Sequence, residues 1–265
     1  LDAAPGEGTL PHVGRLAYAL LGLPLAVETA AAQCGLLSCR ELAHEVQAAL
    51  DDLKGYLPGE PPERRVARTV LDVAWRLLPA QLRAALRRVS LFHAPFAPAA
   101  ARRVAEAGDA ELDALEERGL LRRTPDGHIR VHPLVRDYAR AKLDDFPRER
   151  AEALAAYVDH HLLALRNGAG DGAMPDLRRA WDLAAREGAA DALAQSADAL
   201  FERLAARGAW DEAEHRFALA AAWLVEQLAL AAFENVRAPR TRDHEPALQP
   251  CAPRGDRRAR GRRRP

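Results

Sequence analysis

The chain has 265 residues, with 38 basic and 38 acidic side chains, so global charge argues for neither nucleic acid nor an anionic membrane as a partner. That length accommodates one large domain or two to three small ones. The three cysteines, Cys34, Cys39 and Cys251, form no CxxC pair, so neither a disulfide framework nor a zinc site is indicated, and a reducing cytoplasm is the expected compartment. The basic side chains are arginines apart from Lys54 and Lys142, and alanine is abundant, as in products of GC-rich genomes. No stretch reads as a membrane span: Leu16–Ala32 contains Pro24 and Glu28, and Ala218–Phe233 contains Glu226 and Gln227. The chain starts at a leucine without a signal-peptide pattern and reads as a portion of a longer protein.

Residues 1–12 are rich in Gly and Pro and read as a linker. Residues 13–58 form a small helical domain by their apolar spacing. Gly22-Leu23-Pro24 ends one helix and starts the next, with proline at a first-turn position. The following helix opens with Ser38 and has Glu41 three residues on, a capping box. In residues 61–146, Arg68, Leu71, Asp72, Trp75 and Leu78 recur at helical intervals, and two further helices follow in PAAARRVAEAG and DAELDALEERGL. A short β-hairpin comes next. Leu120 and Leu121 belong to its first strand, Thr124-Pro125-Asp126-Gly127 to its turn, and Ile129 and Val131 to its second strand. A helix then begins at Pro133, which leaves His132 in the cap position at the positive end of that helix. Two roles suit a histidine there: an ordinary capping or packing residue, and a donor to a phosphate.

Residues 148–236 are helical again, punctuated by Gly188 and Gly208. Leu204, Gly208, Trp210, Ala213, Phe217 and Ala220 resemble a tetratricopeptide (TPR) unit, with small residues where two helices meet. Repeat helices cannot bury their faces alone, so the stack is expected to continue. His160 and His161 lie mid-helix beside Asp159 and read as surface and core neighbours rather than metal ligands. Residues 237–265 have no periodicity and are rich in Arg and Pro, which reads as disorder. Such text also arises from a shifted reading frame in GC-rich DNA.

Two motifs in this order, GLPLA at residues 22–26 and VHPLVRDYARAKL from Val131, resemble the STAND ATPases of the NB-ARC type. These are signalling ATPases, and the likeness is to the bacterial transcriptional-activator type, over the portion that follows the P-loop core. The stretch between the motifs is similar to the family's winged-helix opening, with Ala74 where serine is usual. The resemblance implies a mainly α fold: a small helical domain, a winged-helix domain with a short β-hairpin over 61–146, then TPR-like repeats. Trp75, Leu86, Leu91, Phe92 and Phe96 are then expected in the winged-helix core. It also implies ADP contacts from Gly22, Pro24 and His132: the proline against adenine, the glycine for backbone approach, and the histidine on the β-phosphate. Pro133 departs from the family pattern, which has Glu or Asp there.

No GxxxxGK[ST], HExxH or GxSxG occurs, so no catalytic or metal-binding residue is expected and the chain by itself is read as no enzyme. The resemblance implies a regulatory part of an ATP/ADP-dependent switch in signalling or transcriptional control. Its implied partners are a P-loop core in cis, a protein or small-molecule inducer on the repeats, and a homo-oligomer when active. ADP or ATP would bind tightly only with the core. Two rivals are a TPR-like protein-interaction scaffold without nucleotide and a winged-helix DNA-binding regulator. Glu111, Asp113, Glu116 and Glu117 on the helix before the hairpin would repel phosphates, so DNA binding by this chain is not expected.

Overall fold

Proline and glycine set the helix boundaries of this chain. The computed structural model describes residues 10–53, 61–168 and 170–237. Among them are α1 (Leu10–Ala19), α2 (Pro24–Gln33), α3 (Cys39–Leu53), α4 (Pro62–Leu77), α5 (Ala80–Val89), α6 (Pro98–Ala105) and α7 (Asp109–Glu117). The strands β1 (Leu121–Arg123) and β2 (Ile129–Val131) follow, then α8 (Pro133–Asp144), α9 (Pro147–Arg166), α10 (Met174–Arg186), α11 (Ala190–Ala206) and α12 (Trp210–Arg237). Among the described residues the fold is mainly helical with one small two-stranded antiparallel sheet. No helix among the described residues is long and apolar enough to cross a membrane.

Pro24, Pro62, Pro98, Pro133 and Pro147 each sit in the first turn of a helix, where the missing N–H costs nothing and the fixed φ favours helix. Gly22 has φ of +64°, so the turn between α1 and α2 needs a left-handed residue there. At α3 the Ser38–Glu41 capping box forms. The Ser38 N–H donates to Glu41 Oε2 at 2.9 Å and the Glu41 N–H donates to Ser38 Oγ at 3.2 Å. α1 begins at Leu10, inside the stretch read as a linker; residues 1–9 lie outside the described residues.

Two apolar clusters hold the chain. Leu16, Leu20, Ala26, Ala30, Leu42 and Val46 bury against Val66, Val70 and Val73 of α4. The adjoining face of α4, with Leu71 and Ala74, and Leu78 just after the helix enter a larger cluster that runs through α5–α11 and into α12. A single amphipathic helix thus serves two cores. Leu86, Leu91, Phe92 and Phe96 are buried as expected, whereas Trp75 is only partly buried. It lies at the rim, edge-on to Tyr138 with ring centroids 5.9 Å apart, because its helix face turns towards α8. Truncating one of the fully buried leucines, such as Leu86, would cost about 2–5 kcal/mol.

The hairpin pairs Leu121 with Val131, Arg122 with Arg130 and Arg123 with Ile129. Phe96 bridges to Ile129 by two backbone hydrogen bonds, 2.9 and 2.8 Å, so β2 is supported on both edges at that point. Gly127, at φ of +81°, closes the turn by donating to the Thr124 carbonyl. Beyond the hairpin, α9, α10 and α11 stack by small residues, with Ala153, Ala180, Ala184 and Ala185 fully buried. Leu204, Ala213 and Ala220 bury between α11 and α12, and Phe217 meets Trp181 edge-on at 5.2 Å. Trp210 is exposed.

The compact unit ends at Val225. In the second unit, 226–265, the described residues are the helical backbone as far as Arg237. The rest of the Arg/Pro-rich tail lies outside the described residues.

Candidate ligand cleft between helix 2 and the hairpin

Helix α2 and the hairpin come from distant parts of the chain, and Gly119 brings them together. Its φ is +69°, and a Cβ there would stand 3.3 Å from both the Glu28 carbonyl oxygen and the Thr29 Cα. Only glycine lets the turn between α7 and β1 press so closely on the α2 backbone. One residue earlier, the Arg118 carbonyl accepts from the buried Gln33 Nε2 at 3.3 Å. This seam leaves some polar atoms unpaired: Thr29 Oγ1, Gln33 Oε1 and Arg118 Nη1 are buried without a hydrogen-bond partner.

A cleft of about 890 Å³ opens beside the seam. Its α2 wall is Pro24, Leu25, Glu28, Ala31 and Ala32, and the facing wall is Glu116, Glu117, Gly119–Arg122, Arg130, His132 and Pro133. The volume lies within the range typical of small-molecule sites. Pro24 and His132 therefore line one cavity. Gly22 does not line it; it serves the turn before α2.

His132 is the N-cap of α8, and its Nδ1 accepts the Leu134 N–H at 3.2 Å. Pro133 has no N–H and the Arg136 N–H is taken by the His132 carbonyl. The helix end therefore presents fewer free N–H groups than its position alone suggests, because the histidine itself consumes one. An Nδ1 that accepts is unprotonated, so in the neutral ring Nε2 carries the hydrogen and is a donor. Desolvation lowers the His132 pKa, helped by the positive charge of Arg122 and opposed by Glu28. The ring is thus a neutral donor at neutral pH.

The cleft's charge is divided between its edges. Arg122 and Arg130 are directly opposite each other in the hairpin register, and like charges so placed repel. Arg122 is compensated by Glu28 across the cleft, Nη2 to Oε2 at 2.6 Å. This pair is well exposed and contributes little to stability. Arg130 has no ion-pair partner among the described residues. The α7 edge is acidic. Glu116 there pairs with Arg123 at 3.1 Å and accepts the Arg123 N–H at 2.9 Å.

Of the acids on α7, Asp113 and Glu116 both hold Arg123, and Glu111 accepts the Gly108 N–H at the helix start. They are spent on local structure. His161 is buried with Nδ1 2.8 Å from the Tyr157 carbonyl, and His160 is half-buried beside it. No group of metal-ligating side chains is assembled among the described residues.

The arginine pair was not singled out in the sequence. The signal was present: Arg122 and Arg130 are spaced symmetrically about the Pro-Asp-Gly turn, so an antiparallel register must set them face to face. No family model, no curated protein and no solved structure matches this chain.

Proposed function

We propose that the chain is the regulatory portion of an ATP/ADP-dependent signalling switch of the STAND/NB-ARC kind, acting in transcriptional control. Its helical part (13–58) and winged-helix part (61–146) would sense ADP, and TPR-like helices would read an inducer. The observation that supports this reading is that Pro24 and His132, distant in sequence, line one cleft. A pyrrolidine ring on one wall is an apolar platform for an adenine ring. On the other wall the His132 Nε2–H and the Arg130 guanidinium are donors suited to a phosphate. An anion there would also relieve the repulsion between Arg122 and Arg130. Glu117 on the acidic edge suits the hydroxyl donors of a ribose.

In this reading ADP stabilises the arrangement in which α2 and the hairpin face each other. A ligand shifts an equilibrium only by its difference in affinity for the two states. In this reading the chain contributes nucleotide contacts and the P-loop core in cis contributes phosphoryl chemistry.

The test is an ADP titration of the chain followed by amide and imidazole NMR signals. Weak binding is expected, with shifts at His132, Leu134, Leu25 and Arg130 that disappear in His132→Ala. Shifts confined to other regions, or none at millimolar ADP, would refute the nucleotide reading. Tight binding would refute the division of labour with the P-loop core. A second reading, a scaffold that uses no nucleotide, is favoured by an apolar groove of about 520 Å³ at Phe201, Trp210 and Phe217. Loss of the ADP response together with retained peptide binding there would select it.

A further inference from the structure

The sequence CGLLSC, from Cys34 to Cys39, turns the chain from α2 into α3. It matches no redox or zinc spacing, and nothing in it alone predicts that the thiols meet. They do: Cys34 Sγ lies 3.5 Å from Cys39 Sγ. Both side chains are half-buried, within reach of a small oxidant. We infer that Cys34 and Cys39 form a dithiol site that a hydroperoxide oxidises to a reversible intrachain disulfide.

The geometry favours closure. A disulfide bond is about 2.05 Å long, so the two sulfurs must approach by about 1.5 Å, which two side-chain rotations can share. The two thiols are also unequal. Cys39 is the first residue of the 15-residue helix α3. Cys34 sits at the C-terminal end of α2, with its sulfur also 3.7 Å from the Ala30 carbonyl oxygen. Burial, followed by the contact with Cys39, pushes its thiol up to about 11. Cys39 is therefore the attacking sulfur and Cys34 the resolving one.

The reaction balances with one peroxide. The Cys39 thiolate attacks one oxygen of hydrogen peroxide, the O–O bond breaks, and the departing hydroxide takes up the thiol proton as water. Cys39 is then a sulfenic acid. The Cys34 sulfur attacks the Cys39 sulfur, the S–O bond breaks, and the leaving hydroxide takes the Cys34 proton as a second water. Two thiols lose two electrons and two protons, and the peroxide is reduced. The new bond ties the end of α2 to the start of α3. Gln33, the neighbour of Cys34, reaches the Arg118 carbonyl beside the cleft, so the staple fixes one end of a cleft wall. The inference does not depend on the nucleotide reading.

The experiment uses the full chain carrying Cys251→Ser. The reduced protein is treated with hydrogen peroxide in steps, quenched, alkylated and mapped by peptide mass. Cys34 and Cys39 are expected to lose alkylation together, and their peptide to become lighter by the two thiol hydrogens. Dithiothreitol should restore both thiols. The oxidised form should melt several degrees above the reduced form. In a Cys39→Ser version Cys34 should stay alkylatable, and in Cys34→Ala the Cys39 sulfenic acid should accumulate and be trapped by dimedone. A trivalent arsenical, phenylarsine oxide, should block both thiols of the reduced pair at one equivalent. Oxidation of one cysteine to sulfinic acid with the other still free would overturn the inference. So would disulfide-linked dimers, or two thiols unchanged in excess peroxide.

Discussion

Asp176 is a buried carboxylate at the start of α10, and its removal gives a sharp stability test. Its carboxylate is almost wholly buried and accepts three hydrogen bonds. The His93 N–H donates at 2.7 Å, the Ala94 N–H at 3.0 Å and the Tyr157 hydroxyl at 2.7 Å. One side chain at the start of α10 thus holds the loop after α5 and the middle of α9. Asp176→Ala strands the buried Ala94 N–H, the part-buried His93 N–H and a buried phenol, a buried group being worth about 1–3 kcal/mol when left unpaired. Relief of the carboxylate's own desolvation and entry of water offset part of this, so a loss of about 3 kcal/mol is expected. In a protein of this size that lowers Tm by roughly 6–12 °C. Asp176→Asn keeps one acceptor and should lose about half as much. The assay is urea unfolding followed by far-UV circular dichroism, with thermal melts in parallel. A midpoint for Asp176→Ala equivalent to under 1 kcal/mol of loss would refute the clamp.

Other perturbations test other parts of the argument. Gly119→Ala places an L residue at φ of +69°, which costs about 1–2 kcal/mol, and its Cβ pushes the α2 backbone away. It should destabilise the chain and weaken the ADP response together; a wild-type urea midpoint would refute the close approach. Arg87 makes a nearly buried two-pronged pair with Glu149, closest at 2.6 Å, and its guanidinium lies 4.1 Å above the Phe146 ring. Arg87→Ala should cost about 3 kcal/mol, while the double change Arg87→Leu with Glu149→Leu should be close to neutral. Equal losses in both would contradict a desolvated pair. Burial lowers the pKa of His93, His132 and His161, and brings His160 down to about 4. With folded pKa values below the unfolded 6.5, the stability they contribute is present above pH 6.5. It is lost as pH falls towards 4, because the unfolded chain binds protons first. Urea midpoints should therefore drop between pH 6.5 and 4.5, and His160→Gln should flatten that slope; an unchanged slope would refute the assignment.

Local chemistry in this chain was legible one residue at a time. Helix starts at Pro24 and Pro133, the Ser38–Glu41 box and the Pro-Asp-Gly hairpin turn depend on dihedrals and hydrogen bonds within a few positions, and each formed where its residues stand. His132 was legible as a cap for the same reason, and its ring does accept the Leu134 N–H. Trp75, placed in the core by the family resemblance, packs against that core only partly buried, because its face meets Tyr138 at the rim along α8. The sharing of α4 between two cores had no local signature, since its one wide apolar side does not show that two clusters divide it.

What only tertiary structure decided are the juxtapositions. Pro24 and His132 share a cavity because Gly119 permits backbone contact between α2 and the β1 approach. The thiols of Cys34 and Cys39 meet because the α2–α3 turn folds back on itself, at a spacing that belongs to no motif. Asp176 reads in the sequence as an ordinary acid in a first helical turn, and only packing makes it the acceptor for three donors. The physical reason is one of range. Dihedral preference and capping act over a few residues and are written in order along the chain. Cavities, thiol contacts and buried carboxylates depend on which surfaces the hydrophobic clusters press together, and that depends on the whole set of apolar faces at once.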